Sequence, residues 1–197
     1  MRFILASASP SRAAVLRAAG VPFSIAPADI DEAGLKSELL AAGKDVSQIA
    51  AALAEAKSVA VSRLYRNALV LGADQVLEFE GELISKCTDM AAARALLLRL
   101  RGRPHRLISA LVLAENGKMI WAFCDSAALT MRRFSDSFLD SYLSGEGTRL
   151  LAGVGCYRLE GMGAQLFESV KGDYFSILGL PLQPLLTQLR QKGVIAQ

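Results

Sequence analysis

Short apolar runs in this chain alternate with stretches in which apolar residues recur every three or four positions, so strands and helices interleave. Arg2 to Ala6 is a short apolar run followed by Ser7, Ala8, Ser9 and Pro10. This predicts a strand, a tight turn and a helix start, with Ser9 as N-cap and Pro10 as the first helical residue, where its missing N–H costs nothing. The helix is expected to turn Ala14, Val15, Leu16 and Ala18 inward and to stop at Gly20. Val21 to Ala26 reads as a second strand, followed by a polar loop with Asp29, Asp31 and Glu32. Ser47 to Arg63 is the clearest helix, with Ile49, Leu53, Ala56, Ala60 and Leu64 in helical spacing and Lys57 at the edge of the stripe.

A strand over Ala68 to Leu71 is expected to end at Gly72 and Ala73 and to present Asp74 and Gln75 at its mouth. Val76 to Ile84 holds two β-rich runs around Glu80 and Gly81, a hairpin that would carry Lys86 back towards Asp74. Thr88 or Asp89 caps a helix from Met90 to Leu100, closed by Gly102. Arg106 to Ala114 is a strand, Asn116-Gly117 a turn, and Met119 to Met131 one or two further strands. Ser135 caps a helix to Leu143, Gly145 to Gly155 is loop-like, and Gly161, Gly163, Gly172 and Gly179 punctuate short strands before a last helix, Pro184 to Lys192. The pattern has no fixed repeat and predicts an α/β (α+β) domain built on a mixed sheet.

Composition narrows the class. The chain of 197 residues is 52% hydrophobic and 21% charged, with a formal net charge of +3, which fits one globular domain. No long basic tract supports nonspecific nucleic-acid binding, and no segment approaches the roughly 18 apolar residues of a membrane helix. Cys87, Cys124 and Cys156 are odd in number and lack metal-ligand spacing, so reduced thiols in a cytoplasmic setting are expected. His105 is the single histidine, which leaves a histidine metal site or a Ser-His-Asp triad resting on one residue; it is expected in a polar loop.

Several groups point to anion or cation chemistry. The first strand-turn-helix junction aims backbone N–H groups and the helix dipole at an anion, with Ser7, Ser9 and Arg12 lining the spot, although it lacks a Walker pattern. Asp29, Asp31 and Glu32 could hold a divalent cation or form an ordinary solvated acidic loop. Lys57 either snorkels to water or reaches into a cleft.

Taken in order, LASASPSR, GADQV with Lys86 twelve residues after Asp74, SGE, AG and GLPL form a set. On these motifs the chain resembles the Maf family of nucleoside triphosphate pyrophosphatases over essentially its whole length. The resemblance implies one domain, residues 1–197, with a mixed twisted sheet, flanking helices and two lobes around a cleft, often dimeric. It implies hydrolysis of a nucleoside triphosphate between its α- and β-phosphates, with Mg²⁺ or Mn²⁺ as cofactor. Position by position, it assigns Asp74 as general base or metal-linked carboxylate, Ser7, Arg12, Lys57 and Lys86 to the triphosphate, and Glu32 to the metal. Cations and N–H donors suit the charge developing on leaving pyrophosphate.

Three positions bear on the base. Ser11, Gln75 and Glu160 depart from the dTTP/UTP branch, and Gln75 and Glu160 look like the branch acting on 7-methyl-GTP. A carboxylate suits the N1–H and N2 amino donors of guanine. That branch usually carries tryptophan where this chain has Ser11, so a stacking platform is missing. The competing readings are a catalytically silent nucleotide-binding regulator of cell division and a hydrolase of inosine or xanthosine triphosphates. Retention of Asp74, Lys57 and Lys86 together favours activity, because a binder needs the cations but not the base.

Overall fold

A computed structural model describes all of residues 1–197. Seven strands form one mixed sheet: β1 (Arg2–Leu5), β2 (Ser24–Ile25), β3 (Ala68–Phe79), β4 (Glu82–Ile84), β5 (Pro104–Glu115), β6 (Lys118–Met131) and β7 (Phe167–Lys171). Their order is β2-β1-β3-β5-β6-β7, with β4 paired to β3. The helices are α1 (Pro10–Ala18), α2 (Glu32–Ala41), α3 (Val46–Leu64), α4 (Met90–Leu100), α5 (Asp136–Glu146), α6 (Tyr174–Ile177) and α7 (Leu182–Gln191). The chain divides into two compact units, the first comprising Met1–Gln75, Ile108–Asp125 and Asp173–Gln197, the second Val76–Leu107 and Ser126–Gly172. No helix is long and apolar enough to cross a membrane.

In the first unit β1 runs parallel to β2 and β3, pairing Phe3 with Leu69 and Ile4 with Val70. Side chains alternate across a strand, so this register sorts the core onto two faces. Phe3, Leu5, Leu69, Leu71 and Ala73 pack with Val15 and Leu16 of α1 and Leu185 and Leu189 of α7. Ile4, Ala6, Ala68 and Val70 pack with Val61 of α3. Both faces are covered, which is why these strands read as continuous apolar runs.

β3 does not stop at Gly72; it continues through Asp74 to Phe79. Glycine here answers a packing demand rather than a turn. A methyl group at Gly72 would overlap the carbonyl oxygen of Ala54 and lie 2.7 Å from the backbone nitrogen of Ser58, so α3 and β3 touch main chain to main chain.

Several local expectations hold. Ser9 caps α1 by accepting from the Arg12 N–H, Asp89 caps α4 and Ser135 caps α5. The β3–β4 hairpin turns on Glu80 and Gly81, both with positive φ, and the β5–β6 turn likewise uses Asn116 and Gly117. Others are corrected. The predicted loop after β2 becomes α2 at Glu32, because Asp31 caps it by accepting from Gly34 N–H. β2 is only Ser24–Ile25. Ala13 rather than Ala14 or Ala18 joins Val15 and Leu16 in the core. The buried face of α3 is Ile49, Ala50, Leu53, Ala54, Lys57, Ser58, Val61 and Ser62, while Leu64 is exposed. Gly147–Ala152 and Met162–Leu166 are 3-10 turns, and the region before Pro181 contains β7 and α6 instead of several strands.

In the second unit α4 packs against α5 and the Gly147–Ala152 turn. His105 is not a loop residue. It lies in β5, 3% exposed, with Nε2 2.8 Å from the Tyr157 hydroxyl and its ring beside Phe167. Burial without a counter-charge pushes its pKa down to about 4, so it is neutral at neutral pH. The three cysteines are free, and burial followed by the neighbouring Cys87 raises the Cys156 thiol to about 12.

Candidate active site

Period two along β3 puts Asp74 on the face of Ala68, Val70 and Gly72, towards α3, and Gln75 on the opposite face. On α3, Lys57 lies one turn beyond Leu53 and three residues beyond Ala54, whose carbonyl touches Gly72. The close approach of the two backbones therefore delivers the lysine to the acid. Lys57 Nζ donates to Asp74 Oδ1 at 2.7 Å and pairs with Glu32 Oε2 at 2.9 Å. Lys57 and Asp74 are 7% and 5% exposed, whereas the Glu32 side chain is 45% exposed.

An ammonium has three donors, and these two contacts leave one for a ligand. Asp74 Oδ2 is buried and has no hydrogen-bond partner. A buried carboxylate oxygen without a partner is costly and marks a place where a proton, water or cation is received. No group of three or more His, Cys, Asp or Glu is assembled to hold a metal.

Arg12 completes this cluster. Its Nε donates to the Gly179 carbonyl at 3.0 Å and Nη1 to Ser7 Oγ at 3.0 Å, while Ser7 Oγ also accepts from the Ser9 N–H. These contacts leave the Nη2 hydrogens available. Burial lowers the Arg12 pKa, and the nearby charges of Asp74 and Glu32 oppose that shift; an arginine in this position stays charged. Ser7, Arg12, Lys57, Asp74 and Glu32 are thus brought together in the first unit.

Gln75 is placed differently. Its side-chain amide donates to the carbonyls of Ser176 at 3.1 Å and Ile177 at 2.9 Å and to Ser109 Oγ at 3.0 Å. Ser109 also donates to the Ser176 carbonyl, and the Ser176 hydroxyl donates to Asp125 Oδ2 at 2.5 Å. This ties β3 to the α6 turn that carries Gly179. Gly179 has φ +85°, which favours glycine, while a Cβ there would make only ordinary contact, 3.5 Å from Arg12 Nε and Gln75 Cδ, so conformation rather than space asks for glycine. Sequence reading missed Ser109 and Ser176. Serines among apolar neighbours at positions 109 and 176 were their only signal.

Ser11 is exposed on α1. Lys86 follows β4 by two residues in the second unit. Glu160 lies after Arg158, whose Nε donates to Glu160 Oε1 at 3.2 Å and whose Nη1 donates to Glu146 Oε2 at 3.1 Å.

The Maf-like protein family matches residues 2–192, and the chain belongs to that family. Among similar proteins, one from Maricaulis maris (strain MCS10), named nucleoside triphosphate pyrophosphatase, is 50% identical over 196 residues, covering 100% of this chain and 99% of its own. One from Rhizobium meliloti (strain 1021), named 7-methyl-GTP pyrophosphatase, is 46% identical over 192 residues, covering 98% of this chain and 96% of its own. One from Granulibacter bethesdensis (strain ATCC BAA-1260 / CGDNIH1), also named nucleoside triphosphate pyrophosphatase, is 48% identical over 191 residues and 97% of each chain.

Proposed function

We propose that this chain hydrolyses nucleoside triphosphates to the monophosphate and pyrophosphate, and that 7-methyl-GTP is among its substrates. The observation that carries the reading is the buried Lys57–Asp74 pair with Asp74 Oδ2 left without a partner. Relatives of full length bearing the two pyrophosphatase names support it.

Water adds to the α-phosphorus as the bridging P–O bond breaks and pyrophosphate leaves with the electron pair. Asp74 Oδ2 takes the proton of that water, while Lys57 on Oδ1 fixes the carboxylate's orientation. The remaining Lys57 donor, Arg12 Nη2 and Ser7 meet the negative charge of the triphosphate. Glu32 and Asp74 are hard oxygen ligands, too few for a complete cage, and so suit an ion such as Mg²⁺ or Mn²⁺ that takes its other ligands from phosphate and water. Such an ion, when bound, neutralises phosphate charge and acidifies the attacking water.

Glu160 is assigned the guanine edge, with one carboxylate oxygen already held by Arg158. The free thiols agree with a cytoplasmic setting. A silent regulator would need the cations, but not a buried carboxylate oxygen kept without a partner.

The test is pyrophosphate release from dTTP, UTP, CTP, GTP and 7-methyl-GTP with Mg²⁺ or Mn²⁺, beside Asp74→Asn. Release from 7-methyl-GTP, reduced by about a hundredfold or more in the variant while nucleotide affinity stays within a few-fold, is expected. Release from pyrimidine nucleotides alone would overturn the substrate, and equal activity in the variant would remove Asp74 as base.

A further inference from the structure

α6 is a helix of four residues, Tyr174–Ile177, so its last carbonyls must find donors outside its own ladder. Part of the answer is local. The Gly179 N–H donates to the Ser176 carbonyl at 3.1 Å and the Leu180 N–H to the Phe175 carbonyl at 2.9 Å, a Schellman turn with Gly179 at positive φ. The rest comes from the sheet. Gln75 of β3 and Ser109 of β5 also donate to the Ser176 carbonyl, at 3.1 and 2.8 Å, and Gln75 takes the Ile177 carbonyl at 2.9 Å. Three donors thus meet on one backbone oxygen. On the amino-terminal side Asp173 accepts from the Ser176 N–H, and Asp125 of β6 accepts from the Ser176 hydroxyl.

The Gln75 amide nitrogen has two hydrogens and three oxygens around it, Ser109 Oγ being the third at 3.0 Å, so no donor is left for a nucleobase. An oxygen in place of that nitrogen would face two carbonyls, which fixes the orientation of the amide. Just past the turn, the Gly179 carbonyl accepts from Arg12 Nε at 3.0 Å. Together with the bond from Nη1 to Ser7 Oγ, it sets the plane of the guanidinium and hence the direction of Nη2.

We propose that Gln75, Ser109 and Ser176 are positioning residues for phosphate binding: they hold the α6 turn so that the Gly179 carbonyl aims Arg12 at the triphosphate, and Gln75 acts through that arginine instead of on the base. The inference rests on the reading of Arg12 as a ligand of the triphosphate. Arg12 meets charge that the substrate already carries, so a loosened turn weakens binding whatever the base.

Ser109→Ala and Gln75→Met each remove donors from the turn. Either should raise KM for 7-methyl-GTP about three- to tenfold with kcat within about threefold of the wild type. Binding of inorganic tripolyphosphate with Mg²⁺, read by calorimetry, should weaken by a similar factor, since that probe has no base. In an Arg12→Gln background the same substitutions should change KM and tripolyphosphate affinity by less than about twofold, because the group they position is gone. A general loosening of the fold would act with or without Arg12, so losses that persist in full in that background overturn the proposal. Nucleotide binding that weakens while tripolyphosphate binding does not would overturn it too, and would return Gln75 to the base. Circular dichroism and thermal unfolding show whether each variant is folded; Ser109→Ala, which removes a single hydroxyl, carries the test if Gln75→Met does not fold.

Arg12→Gln alone separates this inference from the reading beneath it. If that variant leaves tripolyphosphate binding untouched, Arg12 does not hold phosphate and both ideas fall. If it weakens binding while the Ser109 and Gln75 variants do not, only the present proposal falls.

Discussion

Lys57 and Arg158 each stand between two carboxylates, yet the two clusters are solved differently. The first is built on a helix and a central strand with the lysine and Asp74 almost fully buried; the second is built on a helix end and a turn, with Arg158 and Glu160 about a third exposed. A compact ammonium suits the first, since two of its three donors meet Asp74 Oδ1 and Glu32 Oε2 and the third is left for a ligand. A planar fork suits the second, where it must reach two acids at 3.1 and 3.2 Å without such support. A cation between two carboxylates therefore serves rigidity in one place and orientation in the other. Burial decides which.

The sharpest way to break this comparison is to remove each cation. Lys57→Met should cost about 3–5 kcal/mol, because it strands the buried Asp74 carboxylate. Arg158→Met should cost no more than about 1 kcal/mol, because water reaches Glu160 and the buried Glu146 keeps a second cation, Arg149, at 3.7 Å. Urea unfolding of both variants at neutral pH gives the numbers, and equal costs would mean that burial does not separate the clusters.

His105 offers a third solution, burial without charge. Its folded pKa of about 4 lies below the ordinary 6.5, so between these values the unfolded chain binds the proton more readily. Stability should therefore fall as pH drops through that window, by about 3 kcal/mol in all. His105→Gln, which keeps a polar partner for Tyr157, should lack this component; unfolding curves that run parallel from pH ~7 to ~4 would contradict it. The smallest effect is expected at Glu32, the exposed member of the first cluster. Glu32→Gln should change stability by less than about 1 kcal/mol while weakening Mn²⁺ binding with nucleotide, read by calorimetry. A cost like that of Lys57→Met would make Glu32 part of the core pair.

Much of the local structure was legible because its causes are local. The Ser9, Asp89 and Ser135 caps and the Glu80-Gly81 and Asn116-Gly117 turns need only neighbouring residues. Asp74, Lys57 and Arg12 were found as chemical types in recognisable motifs, and the structure brings them together. Contacts between distant segments were not legible. Gly72 looks like a strand end until α3 is seen against it, and His105 looks like a loop residue until Tyr157 and Phe167 enclose it. The edge of the α3 stripe was misplaced because alanines and serines carry little hydrophobic contrast. α2 buries no residue at all, so no apolar pattern announced it. Glu146 was visible as the acid of the SGE motif, but its pairing with Arg158 was not, since that partner lies beyond a 3-10 turn.

The contact of Gly72 with Ala54 and Ser58 also bears on how this domain tolerates change. Where two elements meet through side chains, each substitution resets their separation by the width of a methyl group or more. Here the spacer is main chain, which no substitution elsewhere on the helix or strand can thin or thicken. The gap between acid and lysine is thereby insulated from drift in the surrounding core, and the whole of that insulation depends on one position remaining without a side chain.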